Sequence, residues 1–220
     1  MTAAERALEE VREGMALGLG TGRAATAFIV ALGDRLRTGL RIRGGVPTSD
    51  ASADLAWQLG IPLLTLDDAS ELDLAIDGAD EVDPHCHLIK GYGGALVREK
   101  VVAASAKRFI VLVGEEKLVS VLGQRHKLPV EVVPFALSFC RRRLEELGLP
   151  SDHRSRDGTP YITDNGNHIL DCRCGPINDP DALDSAILAI PGIVGTGLFA
   201  RMAHEVIIQR GAEIEVQQPR

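Results

Sequence analysis

This chain of 220 residues has no basic surplus, no long apolar run and no paired-cysteine motif, and each absence removes a class of function. Lys and Arg number 24 against 31 Asp and Glu, for a formal net charge of −7. The electrostatic footprint of a nucleic-acid or anionic-membrane binder is therefore missing, although small anions can still be held by local loops and single lysines. No segment approaches the roughly 20 apolar residues of a membrane span. The N-terminal MTAAERALEE is acidic and helical and lacks the apolar core of a signal peptide, so a cytoplasmic location is expected. Cys86, Cys140, Cys172 and Cys174 form no CxxC and read as free thiols, in keeping with that compartment. His85-Cys86-His87 has no second ligand pair at zinc spacing, and no metal is expected. Neither a low-complexity linker nor a repeat of fixed period is found.

What is present is a chain with 45% hydrophobic residues, enough to bury a good core in one large domain or two unequal ones. Residues 2–13 have helical spacing and are stopped by Gly14. Residues 15–19 read as a short buried strand running into Gly18-Leu19-Gly20-Thr21-Gly22, after which residues 24–36 resume a helical pattern. Strand, glycine turn and helix together can place a phosphate at a helix N-terminus. The turn is neither the dinucleotide fingerprint, whose third glycine it lacks, nor a Walker loop, since no Gly-Lys-Ser/Thr follows. The theme recurs as a strand at 40–46, the capping residues Thr48, Ser49 and Asp50, and a helix at 51–59 ended by Gly60. Further strands are expected at 61–66, 72–76 and 109–113. Strands alternating with helices indicate an α/β fold with a parallel sheet, whose sites gather at the carboxyl ends of the strands.

From Leu128 the texture changes. Strands at 129–133, 161–164, 168–171 and 193–199, with helices at 135–147 and 182–190, suggest a smaller antiparallel α+β unit inserted in the parallel one. Residues 206–209 would return to the main sheet.

The stretch 72–104, LDLAIDGADEVDPHCHLIKGYGGALVREKVVAA, concentrates the chemistry. An apolar run ends in the acids Asp77 and Asp80, where a buried strand would stop. Lys90 then precedes Gly91-Tyr92-Gly93-Gly94, whose backbone N–H groups can converge on an oxyanion with no Cβ in the way. A helix-like run carrying Arg98, Glu99 and Lys100 follows. Taken alone, Asp77 and Asp80 could cap a turn, and Glu99 could be an exposed acid favoured by the first turn of a helix.

The motifs Gly18-Leu-Gly-Thr-Gly22, Asp77-Gly-Ala-Asp-Glu81, Lys90-Gly-Tyr-Gly-Gly-Ala-Leu96 with Arg98-Glu99-Lys100, Leu128-Pro-Val-Glu-Val132, Thr163-Asp-Asn-Gly-Asn167 and Gly197-Leu-Phe199 resemble, in order and across nearly the whole chain, ribose-5-phosphate isomerase of the A type. The resemblance implies a cofactor-free aldose–ketose isomerase of the non-oxidative pentose phosphate pathway. It would interconvert ribose 5-phosphate and ribulose 5-phosphate through a cis-enediolate. A Rossmann-like catalytic domain is implied at 1–127 and 203–220, a ferredoxin-like domain at 128–202, and a homodimer or homotetramer.

Residue by residue, Glu99 matches the proton-abstracting base, whose pKa partial burial should raise. Asp77 matches the group that helps open the furanose ring, and Lys90 with the amides of Gly91, Gly93 and Gly94 the stabiliser of the enediolate oxygen. The substrate-binding set adds Thr21, Gly22, Arg23, Ala24, Gly78, Ala79, Asp80, Tyr92 and Lys117, with Lys117 at the phosphate. Two departures stand out. Tyr92 occupies a position that is commonly glycine, and Arg23-Ala24 replaces two hydroxyl residues of the first loop, so that Arg23 either contacts the phosphate or faces solvent. A sugar-phosphate sensor would have no reason to keep Asp77, Lys90 and Glu99 together. A coenzyme A transferase using a glutamate nucleophile would need a longer, two-half architecture.

Overall fold

The apolar runs of the first half become neighbouring strands of one sheet. The computed structural model describes residues 1–125 and 127–219. Its six-stranded sheet has the order Glu213–Gln217, Glu205–Arg210, Phe109–Gly114, Leu74–Gly78, Ala16–Leu19, Gly44–Pro47. Every neighbouring pair is parallel except the first, which is an antiparallel hairpin at the edge. Ala16–Leu19 is buried at every position, as suits a central strand covered on both faces. Helix Arg23–Arg37 turns Phe28, Ile29 and Leu32 into the core beside Leu17, Leu74 and Ile110, and places Arg35 and Arg37 in its last turn, at the negative end of the dipole.

By its internal contacts, the chain divides into a unit of Met1–Ala79, Arg98–Lys117 and Arg201–Arg220 and a unit of Asp80–Val97 and Leu118–Ala200. His126 and Arg220, both within the range expected for the larger domain, lie outside the described residues. The second unit is built on an antiparallel sheet of order Ile193–Thr196, Leu128–Val132, His168–Cys172, Ser151–His153, with helices Leu137–Glu146 and Pro180–Leu188. Its core holds Leu128, Val130, Val132, Cys140, Leu144 and Leu170. Glu81–Val82, Leu88–Ile89 and Leu198–Phe199 form a further three-stranded sheet in the same unit. The α/β class with a parallel main sheet and an antiparallel α+β unit is the one expected.

Several elements differ from their sequence-level bounds. The first helix covers only Ala3–Leu8, closed at its start by a capping box of Thr2 and Glu5. Beyond it the N–H groups of Glu10 and Val11 bond to Ala7 and Leu8, an i to i−3 tightening that turns Val11 into the core. Residues 61–66 form no strand. Leu63 makes a single parallel bridge to Gly45, because Pro62 has no N–H to continue the ladder at this edge. Residues 161–164 are likewise irregular, and the expected strand at 193–199 is broken at Gly197. A Cβ at Gly197 would strike the Lys90 carbonyl.

Candidate active site

Five parallel strands end at one edge of the sheet, and the ends of four of them, with the segments that follow, carry the predicted residues of the larger unit apart from Glu99. After Ala16–Leu19, Gly20 passes so close to the end of strand Leu74–Gly78 that a Cβ there would overlap the Asp77 carboxylate. Its N–H bonds to the Ile76 carbonyl at 2.9 Å. The Thr21 N–H donates to Asp77 Oδ1 at 3.0 Å, and the Gly78 N–H donates to the same oxygen at 2.7 Å. Two backbone donors on one carboxylate oxygen fix the direction of an acid that is only 3% exposed.

The hydroxyls that the capping segment contributes gather on Thr21. Its Oγ1 lies 2.7 Å from Thr48 Oγ1, 2.8 Å from Ser49 Oγ and 3.2 Å from Ser52 Oγ. Ser52 Oγ donates to the Gly20 carbonyl at 2.7 Å, closing the net on the glycine turn. Ser49 also caps helix Asp50–Gln58, accepting from the Ser52 N–H at 3.1 Å. Capping and site-building are thus one arrangement.

Glu99 lies in the first turn of helix Leu96–Ala104 and is 5% exposed, so it is not the solvated acid that its helix position alone would suggest. It lines one small crevice together with Asp77, Gly20 and Thr48. The next residue back, Arg98, reaches Asp50 Oδ1 at 2.8 Å and ties this helix to the one that Ser49 caps. Lys117 is half-buried in the short 3-10 turn Glu115–Lys117, which follows strand Phe109–Gly114 at the same sheet edge. Gly22, at φ +94°, precedes helix Arg23–Arg37, and no side chain caps that helix. Its first residue, Arg23, is exposed, and Ala24 is half-buried.

The remaining candidates belong to the second unit. Lys90 is 2% exposed, its N–H donates to the Gly197 carbonyl at 2.9 Å, and its ammonium sits 5.5 Å from the centre of the Phe199 ring. Gly91 (φ +106°) and Gly94 (φ +90°) adopt conformations that disfavour any side chain. Tyr92 does not, which is why a tyrosine is accommodated there. Its hydroxyl accepts the Lys127 N–H at 2.9 Å. Asp80 Oδ2 accepts the Tyr92 N–H at 3.1 Å. The Gly94 N–H is committed to the Gly91 carbonyl at 3.0 Å, closing the turn, so it is a weaker candidate oxyanion donor than Gly91 or Gly93.

Several contributors were missed from sequence. Glu81 of the DGADE motif is fully buried and receives the N–H groups of Gly123 and Arg125 at 2.6 and 2.8 Å, a structural task inside a functional motif. Ser52 and Arg154 carried no local signal. Among the described residues no group of three His, Cys, Asp or Glu could hold a metal ion, and no helix is long and apolar enough to cross a membrane.

Residues 44–213 match the family described as ribose 5-phosphate isomerase A (phosphoriboisomerase A). A ribose-5-phosphate isomerase A from Roseiflexus sp. (strain RS-1) is 55% identical over 208 residues, covering 94% of this chain and 89% of the relative. That from Gloeobacter violaceus is 49% identical, covering 99% and 95%. Among solved structures, ribose 5-phosphate isomerase A from Methanocaldococcus jannaschii superposes with a TM-score of 0.94 at 41% identity, covering 99% of this chain and 96% of that one. A D-ribose-5-phosphate isomerase in complex with phospho-erythronic acid gives 0.95 at 39%, covering 98% and 96%.

Proposed function

The chain belongs to the ribose 5-phosphate isomerase A family, and from that premise we propose how its own residues carry the reaction. It is an aldose–ketose isomerase that interconverts D-ribose 5-phosphate and D-ribulose 5-phosphate. The conversion moves one proton between C2 and C1 and another between the two oxygens. Asp77 transfers the proton that opens the furanose ring. Glu99 takes the C2 proton and returns it to C1 of the cis-enediolate. The charge that builds on the enediolate oxygen falls to Lys90 and to the N–H groups of Gly91 and Gly93. Asp80 binds a sugar hydroxyl. The phosphate is held by the first N–H groups of helix Arg23–Arg37, after the Gly22 turn, and by Lys117.

The observation that carries this reading is the pairing of Asp77 and Glu99, two nearly inaccessible acids lining one narrow space between helix Leu96–Ala104 and the parallel sheet. Burying two carboxylates side by side costs stability, which a purely structural site would avoid. The relative bound to phospho-erythronic acid supports it, because a phosphorylated sugar acid carries negative charge at both ends, as the enediolate does. The four free thiols suit the reducing cytoplasm, and burial pushes the Cys172 thiol far up, away from reactivity. The active species is a homodimer or homotetramer. Mixing the protein with ribose 5-phosphate should yield ketopentose phosphate at an enzymatic rate; no conversion by correctly folded protein would overturn the assignment.

A further inference from the structure

We propose that Arg154 is a positioning residue for the reaction, setting the peptide planes of the glycine loop from behind. Its guanidinium is held edge-on by Asp171, with Nε to Oδ2 at 2.9 Å and Nη2 to Oδ1 at 2.5 Å, and the two side chains are only 12% and 18% exposed. This bidentate pair fixes the plane of a rigid five-donor group. Nη1 is then aimed at the loop, where it donates to the carbonyls of Gly91 at 2.8 Å and Tyr92 at 3.2 Å. The guanidinium carbon also lies 5.7 Å from the centre of the Tyr92 ring.

A trans peptide unit is planar, and its C=O and the following N–H point in opposite directions. Drawing the Gly91 carbonyl toward Arg154 turns the Tyr92 N–H away, onto Asp80 Oδ2. Drawing in the Tyr92 carbonyl turns the Gly93 N–H away from Arg154 as well. Tyr161 completes the pattern: its hydroxyl donates to the Gly93 carbonyl at 3.2 Å and fills the space a Cβ at Gly94 would need. The loop therefore has a carbonyl side anchored by Arg154 and Tyr161 and an opposite side carrying the Tyr92 and Gly93 N–H groups, while the Gly94 N–H closes the turn on the Gly91 carbonyl. Glycines flank Tyr92 on both sides and oppose a peptide flip only weakly. A flip of the Tyr92–Gly93 peptide would put a carbonyl lone pair where a growing negative charge requires a donor. The clamp removes that alternative before substrate arrives, which is what preorganised oxyanion stabilisation requires.

The inference rests on the assignment of the loop amides to the enediolate oxygen. Arg154→Lys keeps the charge but cannot hold Asp171 and two carbonyls at once. It should lower kcat by roughly 10- to 100-fold, short of the 10²–10³ seen when an oxyanion donor is lost outright. KM for ribose 5-phosphate should stay within about threefold, and inhibition by phospho-erythronic acid should weaken in step with kcat while inhibition by inorganic phosphate is unchanged. The Gly93 amide resonance, followed by ¹⁵N NMR, should shift or broaden. Unchanged kcat per folded molecule, or a phospho-erythronic acid affinity that does not follow kcat, would overturn the positioning role. If the lysine variant does not fold, Asp171→Asn keeps the arginine but loosens its anchor, and the same pattern is expected with a smaller amplitude. Failure of the underlying assignment reads differently: the unmodified protein would then show no isomerase activity.

Discussion

The Thr21 amide donates to Asp77 Oδ1 at 3.0 Å, so the turn after strand Ala16–Leu19 holds the acid near the end of strand Leu74–Gly78. The Gly78 amide reaches the same oxygen at 2.7 Å. Asparagine at this position offers an oxygen to both donors yet cannot relay a proton. Asp77→Asn is therefore expected to lower kcat by at least about tenfold with little change in melting temperature. Asp77→Ala leaves two amides without their acceptor and should also lower stability, by roughly 1–3 kcal/mol. Equal melting temperatures for the two variants would show that the carboxylate does not organise the turn.

Glu99→Gln tests the base. The substitution keeps shape and removes basicity, so kcat should fall by roughly 10²–10⁴-fold while circular dichroism is unchanged and the melting temperature does not fall. Because Glu99 is 5% exposed, the amide also relieves the burial of a charge, and a slight gain in stability is the expected direction. Turnover near that of the unmodified enzyme would sink the assignment.

Parts of this site are legible in the sequence because local rules suffice for them. An apolar run that stops at Asp77 marks the end of a buried strand, and Gly91 and Gly94 mark backbone that needs positive φ. Ser49 is readable as a helix cap, and the structure adds that the same hydroxyl joins Thr21. The clamp at Arg154 is not legible. It sits in Asp152-His153-Arg154-Ser155-Arg156, a polar run with no periodicity, and its partners lie more than 60 residues away at Gly91 and Tyr92. Strand bounds failed where one residue overrode the pattern, as Pro62 did for residues 61–66. The first helix was overextended for a different reason: Val11 fits the helical stripe in sequence but is buried by a tightened turn after Leu8.

A pH effect on stability is expected in the second unit. The His153 ring meets that of His168 edge-on at 4.7 Å. Burial lowers its pKa below the ordinary 6.5, and His168 and then Arg141 lower it further. The unfolded chain thus binds the proton at a higher pH than the folded one. The neutral ring's contribution is fully present above about pH 6.5 and is lost as the pH falls from there toward the depressed folded value. Melting temperatures measured from pH 7.5 to 5 should drop more steeply in the unmodified protein than in His153→Gln. Parallel curves would remove His153 as the cause.

Arg23 opens helix Arg23–Arg37 where the family resemblance leads one to expect a hydroxyl residue, and its exposed side chain makes no hydrogen bond or ion pair among the described residues. At this end of a helix a cation is unfavourable by about 0.3–1 kcal/mol unless an anion joins it. A substrate phosphate at the same N-terminus would reverse that sign and take two parallel guanidinium donors. Arg23→Ala should then raise KM for ribose 5-phosphate about tenfold or more, since a charge-assisted bond is worth roughly 1.5–3 kcal/mol. Turnover of unphosphorylated ribose should change little. A solvent-facing arginine instead gives an unchanged KM, and would leave Lys117 and the helix amides as the phosphate ligands. KM is the quantity that separates the two, because removing a cation from the helix start raises the melting temperature of the free protein in either case, whereas only a phosphate contact moves KM.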